Sequence, residues 1–106
     1  MKKQNAFGAI TVGASLMIGT AAMADCGDVT IAEMNWASAE LMANVDAIIL
    51  EEGYGCNVEL VPGATTTTFA SMNEKSEPDI AGELWINAVR DPLAKATAEG
   101  RLHSVI

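Results

Sequence analysis

Two tryptophans, Trp36 and Trp85, lie at the downstream ends of two short runs typical of β-strands, residues 29–36 and 78–85. In an open α/β sheet, ligands bind outside the carboxyl ends of parallel strands. An indole face attracts an organic cation through its ring quadrupole, even when the cation has no hydrogen-bond donor. The placement therefore predicts a site for a quaternary ammonium compound. The alternative is that each ring packs in the core, as most tryptophans are largely buried.

Several polar residues are further candidates for this site. Asn35 and Asn87 flank the indoles and can orient ligand or water, or simply satisfy loop backbone. Thr65 opens a run of four threonines that predicts a helix start, where backbone amides can receive a carboxylate; ordinary capping is the alternative. Glu33 and Glu83 are close to the tryptophans in sequence and can add negative potential, or face solvent.

Two other classes of function are open. An enzyme would use Glu33 and Glu83 as paired carboxylates in a cleft. The sequence has no nucleophile–base pair and no phosphate-binding loop, and one histidine (His103) with two cysteines supports no metal cluster. We therefore expect no catalysis, no cofactor and no metal. The third class is a structural fragment that binds no small molecule.

Residues 1–24 are typical of an export signal. Lys2 and Lys3 precede an uncharged apolar stretch, and Ala22 and Ala24 supply the small-x-small cleavage pattern before Asp25. An uncleaved membrane anchor is the alternative, although the stretch contains three glycines and is marginal for spanning a bilayer. We expect a periplasmic mature chain, residues 25–106, that is not embedded in the membrane.

The mature chain would be strongly acidic. Removing Lys2 and Lys3 takes the formal net charge from −8 to −10. Such a surface repels nucleic acid and anionic membranes, which argues against both as partners.

The two cysteines, Cys26 and Cys56, lie in the exported part of the chain, where disulfides persist. Cys26 precedes the first predicted strand and Cys56 opens the second, so parallel neighbouring strands would bring both sulfurs to one edge of the sheet. We predict a structural disulfide.

After the signal, the sequence predicts strand and helix in alternation, three times. The first helix has Ser38 as its cap and Gly53 as the left-handed residue that follows its end, and the third helix has Asp91 as its cap. The large apolar residues of the first helix recur at helical spacing: Leu41, Val45, Ile48 and Ile49. We expect core positions for Phe69, Met34, Met42 and Met72. This alternation predicts parallel βαβ units in an α/β fold, and three units in a short chain predict a truncated domain.

The mature segment resembles the start of the periplasmic substrate-binding proteins of ABC importers for glycine betaine, proline betaine and choline. The matching pieces are Asn35-Trp36, the helix end Ile48-Ile49-Leu50-Glu51-Glu52-Gly53-Tyr54, the stop Val61-Pro62-Gly63, and Pro78-Asp79-Ile80-Ala81-Gly82-Glu83-Leu84-Trp85.

The resemblance implies a type II-like fold of two α/β lobes that close over the ligand, of which this chain, as βαβαβα, covers the early part of the first lobe. It further implies an aromatic cage for a trimethylammonium head, with Trp36 and Trp85 as two walls. Partner permease subunits are implied too. Some members of the family carry a polar or acidic residue soon after the first tryptophan; here those positions hold Ala37, Ser38, Ala39 and Glu40.

Overall fold

The computed structural model describes residues 26–105. The predicted signal peptide and its cleavage site lie outside these residues. Between residues 26 and 105 the chain forms three strands and three α-helices in alternation: β1 (Gly27–Met34), α1 (Ala37–Ile48), β2 (Cys56–Gly63), α2 (Thr65–Lys75), β3 (Ile80–Ala81) and α3 (Arg90–Ala98). A π-helical turn, Ile49–Gly53, extends α1, and a 3₁₀ helix, Ile86–Val89, precedes α3. None of the helices in this described part is both long and apolar enough to cross a lipid bilayer.

The three strands form one parallel sheet in the order β2-β1-β3. β1 and β2 pair along their full length, so Met34 at the end of β1 lies opposite Gly63 at the end of β2. β3 pairs with β1 through Ile80 and Ala81. The predicted α/β class is confirmed. All three strands end at the same side of the sheet, which we call the carboxyl edge; the opposite side is the amino edge.

Side chains from both faces of β1 form the centre of the core. Ile31 is buried on the face that packs against the middle of α1, and Ala32 and Met34 are buried on the other face. Phe69 of α2 is also buried, as predicted. The core position predicted for Met42 is wrong, because this side chain is 44% exposed.

The buried face of α1 consists of small residues. Ala39, Ala43 and Ala47 recur every four residues and contact the sheet. Because alanine side chains are short, the helix can approach the sheet closely. The large apolar residues whose spacing predicted the helix point away from the sheet and are 43–66% exposed: Leu41, Val45, Ile48 and Ile49. The helix is therefore confirmed, but its apolar spacing does not identify its buried face.

The third strand is much shorter than the predicted run of residues 78–85. Asp79 anchors its start, because the Asp79 carboxylate accepts hydrogen bonds from the N–H (2.9 Å) and the hydroxyl (3.0 Å) of Thr30. After β3, the chain passes close to α1 at Gly82, where an added Cβ would lie 3.2 Å from Asp46 Oδ2. Residues 82–85 leave the sheet, so the second tryptophan lies on an irregular segment.

Two predicted helix ends are wrong. Gly53 lies inside the π-helical turn, and the left-handed residue after it is Gly55, with φ 71°. The third helix begins at Arg90, one residue before its predicted cap, Asp91. Asp91 instead lies in the first turn, where its negative charge stabilises the positive end of the helix dipole.

Cys26 and Cys56 form the predicted disulfide, which closes a span of 30 residues. The bridge lies at the amino edge, because Cys56 pairs with Gly27 at the start of β1. Tyr54, two residues before Cys56, lies at this edge as well. The disulfide therefore fixes the register of β1 and β2 at the end of the sheet opposite to the tryptophans.

We predict that removing this disulfide destabilises the chain. In the chain-entropy treatment, a span of this length contributes about 3–4 kcal/mol to the free energy of unfolding. Denaturant unfolding of the oxidised chain should show a higher midpoint than unfolding in the presence of dithiothreitol. The double variant Cys26→Ser/Cys56→Ser is the control, and reductant should not change its midpoint. Equal midpoints for the oxidised and reduced wild type would contradict this role.

We also predict that Gly63→Ala is destabilising. A Cβ at this position would lie 2.5 Å from Thr68 Oγ1 and 3.1 Å from Met34 Sδ, so the turn from β2 into α2 would have to shift. Overpacking of this kind costs about 1–3 kcal/mol. Gly53→Ala is the matched control, since nothing lies within 4 Å of its added Cβ. Equal unfolding midpoints for the two variants would show that the turn accommodates the added Cβ of Gly63→Ala without a destabilising shift.

Candidate ligand-binding site

Trp36 lies at the carboxyl edge, two residues after the end of β1. Its backbone is extended (φ −141°, ψ 156°), and it is the N-cap residue of α1. Its carbonyl accepts the N–H of Glu40 at 2.9 Å, which begins the hydrogen bonding of the helix. The half-buried indole packs against the buried cluster of Ala32, Met34 and Ala39. The strand and the helix together therefore hold Trp36 in place.

Trp85 reaches the same edge from β3. It follows Ala81 by four residues and is the N-cap residue of the 3₁₀ helix, with Ala88 N–H donating to its carbonyl at 3.1 Å. The Trp85 side chain is 62% exposed. It therefore presents most of its indole surface to solvent.

The structure brings the two indoles together. Their ring centroids are 5.9 Å apart, and their planes are inclined at 72°. This distance and angle lie in the range of favourable edge-to-face aromatic pairs. Two planes at this angle form a corner, which we call the indole corner, and a small group in it can contact faces of both rings. Trp36 is half-buried and Trp85 is 62% exposed, so neither residue is fully buried.

A third residue, Glu83, hydrogen-bonds one of the two indoles of the corner. Its Oε1 accepts a hydrogen bond from the indole Nε1–H of Trp36 at 2.8 Å. The hydroxyl of Ser38 also donates to Glu83, at 2.9 Å to Oε1 and 3.3 Å to Oε2. The sequence marks Glu83 only as an acid near Trp85, and no spacing rule predicts its contact with an indole 47 residues away.

The capping role predicted for Ser38 is wrong, because Ser38 lies inside α1 and no side chain caps this helix.

The remaining predicted site residues are distributed along the carboxyl edge. Asn35 is exposed in the link between β1 and α1. Asn87 is exposed in the 3₁₀ helix, and its Oδ1 accepts from Arg90 Nη2 at 2.7 Å. Thr65 is half-buried at the first position of α2, two residues after Gly63.

The start of α2 has its own internal hydrogen bonds. The N-cap residue is Ala64, whose N–H donates to Thr68 Oγ1 at 3.1 Å, while Thr68 N–H donates to the Ala64 carbonyl at 2.8 Å. Thr68 is buried in this arrangement. The amides of residues 65–67 belong to the first turn, where backbone N–H groups have no partner within the helix.

Glu33 and Glu83 have separate partners. Glu33 Oε2 accepts from Asn44 Nδ2 of α1 at 2.8 Å, whereas Glu83 binds Trp36 and Ser38. Neither contact joins the two carboxylates. Each carboxylate therefore accepts a hydrogen bond from a side chain of α1.

A shallow apolar depression lies along α3 and begins at Ile86, the residue after Trp85. Its lining residues are Ile86, Arg90, Leu93, Ala94, Thr97 and Ala98. Neither tryptophan lines it.

In open α/β sheets, ligands bind outside the carboxyl ends of the strands, and the indole corner lies at this edge. Comparison with protein-family models matches residues 27–105 to the substrate-binding domain of the ABC-type glycine betaine transport system. Comparison with curated proteins finds no significant match. The matched segment covers most of the chain, so the chain belongs to this family of substrate-binding domains.

Membership in the family confirms the broader predictions. The chain is a substrate-binding component of an ABC-type glycine betaine transporter. A small-molecule ligand and partner permease subunits follow from this role, as does a location outside the cytoplasm. The family binds solutes and is not enzymatic, in agreement with the expectation of a non-enzyme.

We predict that the two indoles give a coupled circular dichroism signal. Aromatic rings at this distance and angle interact in their excited states, which produces paired positive and negative bands in the far ultraviolet. Replacing either ring, as Trp36→Phe or Trp85→Phe, should abolish both bands. Tyr54→Phe is the control, since Tyr54 lies at the amino edge, and it should leave the bands unchanged. A difference spectrum without paired bands would show that the rings are apart in solution.

Proposed function

We propose that this chain binds glycine betaine or a related quaternary ammonium osmoprotectant, with Trp36 and Trp85 as two walls of an aromatic cage. The observation that carries this proposal is the indole corner, with its centroids 5.9 Å apart and its planes at 72°. A trimethylammonium group has no N–H, so hydrogen bonds cannot recognise it. Two indole faces meeting at a corner can, because both quadrupoles attract the same charge.

The rest of the ligand would be recognised by polar groups along the carboxyl edge. We assign the carboxylate of glycine betaine to the first-turn amides of α2, beginning at Thr65, because helix N-termini favour anions. Asn35 and Asn87 can donate side-chain N–H groups to the ligand or to bridging water. The Asn87 oxygen is already engaged by Arg90, which leaves its amide nitrogen as the available donor.

Binding energies indicate that the indole corner is only part of the complete site. Each desolvated cation–π contact contributes about 0.5–2 kcal/mol. Two contacts therefore supply at most about 4 kcal/mol, near millimolar affinity, whereas micromolar affinity needs about 8 kcal/mol. We propose that further cage walls and the exclusion of water by a second lobe supply the difference, as in the two-lobe fold that the resemblance implies.

We further propose that residues 1–24 direct export to the periplasm and are removed before Asp25. The mature chain, residues 25–106, would then act outside the membrane and deliver its ligand to the permease subunits of the importer. Its net charge of −10 after loss of Lys2 and Lys3 is compatible with solubility there and with attraction of a cationic head group.

We predict that glycine betaine shifts the tryptophan fluorescence of this chain with a dissociation constant of about 1 mM or weaker, the limit set by two cation–π contacts. Trp85→Ala should weaken binding by about tenfold, because one of the two contacts is lost. Trp85 is mostly exposed, so the variant should fold normally.

Tyr54→Ala is the matched control: it removes an aromatic side chain of similar exposure (65% against 62%) from the amino edge and should leave binding unchanged. Unchanged affinity in Trp85→Ala would remove Trp85 from the site. A wild-type emission spectrum that does not respond to glycine betaine at any concentration up to the solubility limit would favour a fragment that binds no small molecule.

A further inference from the structure

We propose that Glu83 is the positioning residue of the indole corner and that its charge makes the site select a cation over an uncharged group of the same shape. This inference rests on the proposed function of the same site. It assigns a role to a side chain that touches the cage wall and not the ligand.

The contacts of Glu83 fix the orientation of Trp36. An indole ring has a single N–H, and that of Trp36 donates to Glu83 Oε1 at 2.8 Å. The Ser38 hydroxyl donates to the same carboxylate, so the carboxylate is held by α1 as well as by its own segment. Rotation of the Trp36 ring out of the corner would break the charge-assisted hydrogen bond, which is stronger than one between neutral groups.

The same contacts leave the negative charge of Glu83 beside the ring. Both donors, the indole and the hydroxyl, are neutral groups, so neither compensates the carboxylate. Glu83 is also half-buried, which limits screening by solvent. A positive charge over the Trp36 face would therefore be attracted by the ring quadrupole and by the carboxylate at its edge.

Glu83 also links the two tryptophans. It lies two residues before Trp85 on the segment that leaves β3, and it binds Trp36 at the end of β1. The Glu83 side chain thus links the segment that carries Trp85 to the indole ring of Trp36. Glu33, the other acid near the tryptophans, binds Asn44 on α1 instead.

The test compares glycine betaine with 3,3-dimethylbutanoate, which has a carbon atom in place of the quaternary nitrogen. The two ligands share their shape and carboxylate and differ in the positive charge. Dissociation constants for both are measured by NMR titration of the wild-type chain and of Glu83→Gln, which keeps an acceptor oxygen but removes the charge. Glu59→Gln, on the exposed edge of β2, is the control for net charge.

We expect Glu83→Gln to weaken glycine betaine binding by about three- to tenfold, in line with a charge interaction at partial solvent screening, and to leave 3,3-dimethylbutanoate unchanged or slightly stronger. Glu59→Gln should leave the dissociation constants of both ligands unchanged. If the wild type binds glycine betaine and Glu83→Gln weakens both ligands equally, the charge has no selective role and this inference fails, while the proposed function stands. If the wild type binds neither ligand, the proposed function fails.

The positioning contact has a readout that needs no ligand. The chain has two indole N–H resonances, and only that of Trp36 donates to Glu83 among the contacts described. Glu83→Gln and Glu83→Ala should both shift the Trp36 indole proton upfield more than that of Trp85, and Ser38→Ala should give a smaller shift of the same resonance. Equal shifts of the two indole protons would overturn the positioning role.

Discussion

The site depends on the parallel pairing of β1 with both of its neighbours. This pairing places the carboxyl ends of the three strands at one edge, and with them Trp36, the start of α2 and the segment that carries Trp85. On one side the register is fixed over the whole length of β2 and by the disulfide at the amino edge. On the other side it depends on a two-residue strand and on the hydrogen bonds between Thr30 and Asp79. The least supported strand therefore positions one of the two indoles.

Glu83 compensates for this weak support. Because it hydrogen-bonds the indole of Trp36, the segment after β3 is attached to the end of β1 a second time, beyond the sheet itself. Ser38 adds the first turn of α1 to the same carboxylate. The edge-to-face contact between the rings and this polar link act together, so the geometry of the corner does not depend on either interaction alone.

The sequence predicts the order of elements, the parallel sheet, the disulfide and the two tryptophans at one edge, because strand and helix periodicity and strand-end positions are local signals. It does not predict the buried face of α1, since burial of Ala39 or exposure of Leu41 depends on how closely the helix approaches the sheet. The contact of Glu83 with Trp36 also escapes sequence reasoning, because it joins residues distant in the chain through the irregular path after Ala81.

The most direct test of the account is an NMR measurement of contacts between ligand and protein. Nuclear Overhauser effects are recorded from the N-methyl protons of glycine betaine to the ring protons of both tryptophans. The account predicts effects to Trp36 and Trp85 in the same complex, since a methylated nitrogen in the indole corner touches both faces. Effects to neither ring, or to Trp85 alone with Trp36 silent, would contradict it.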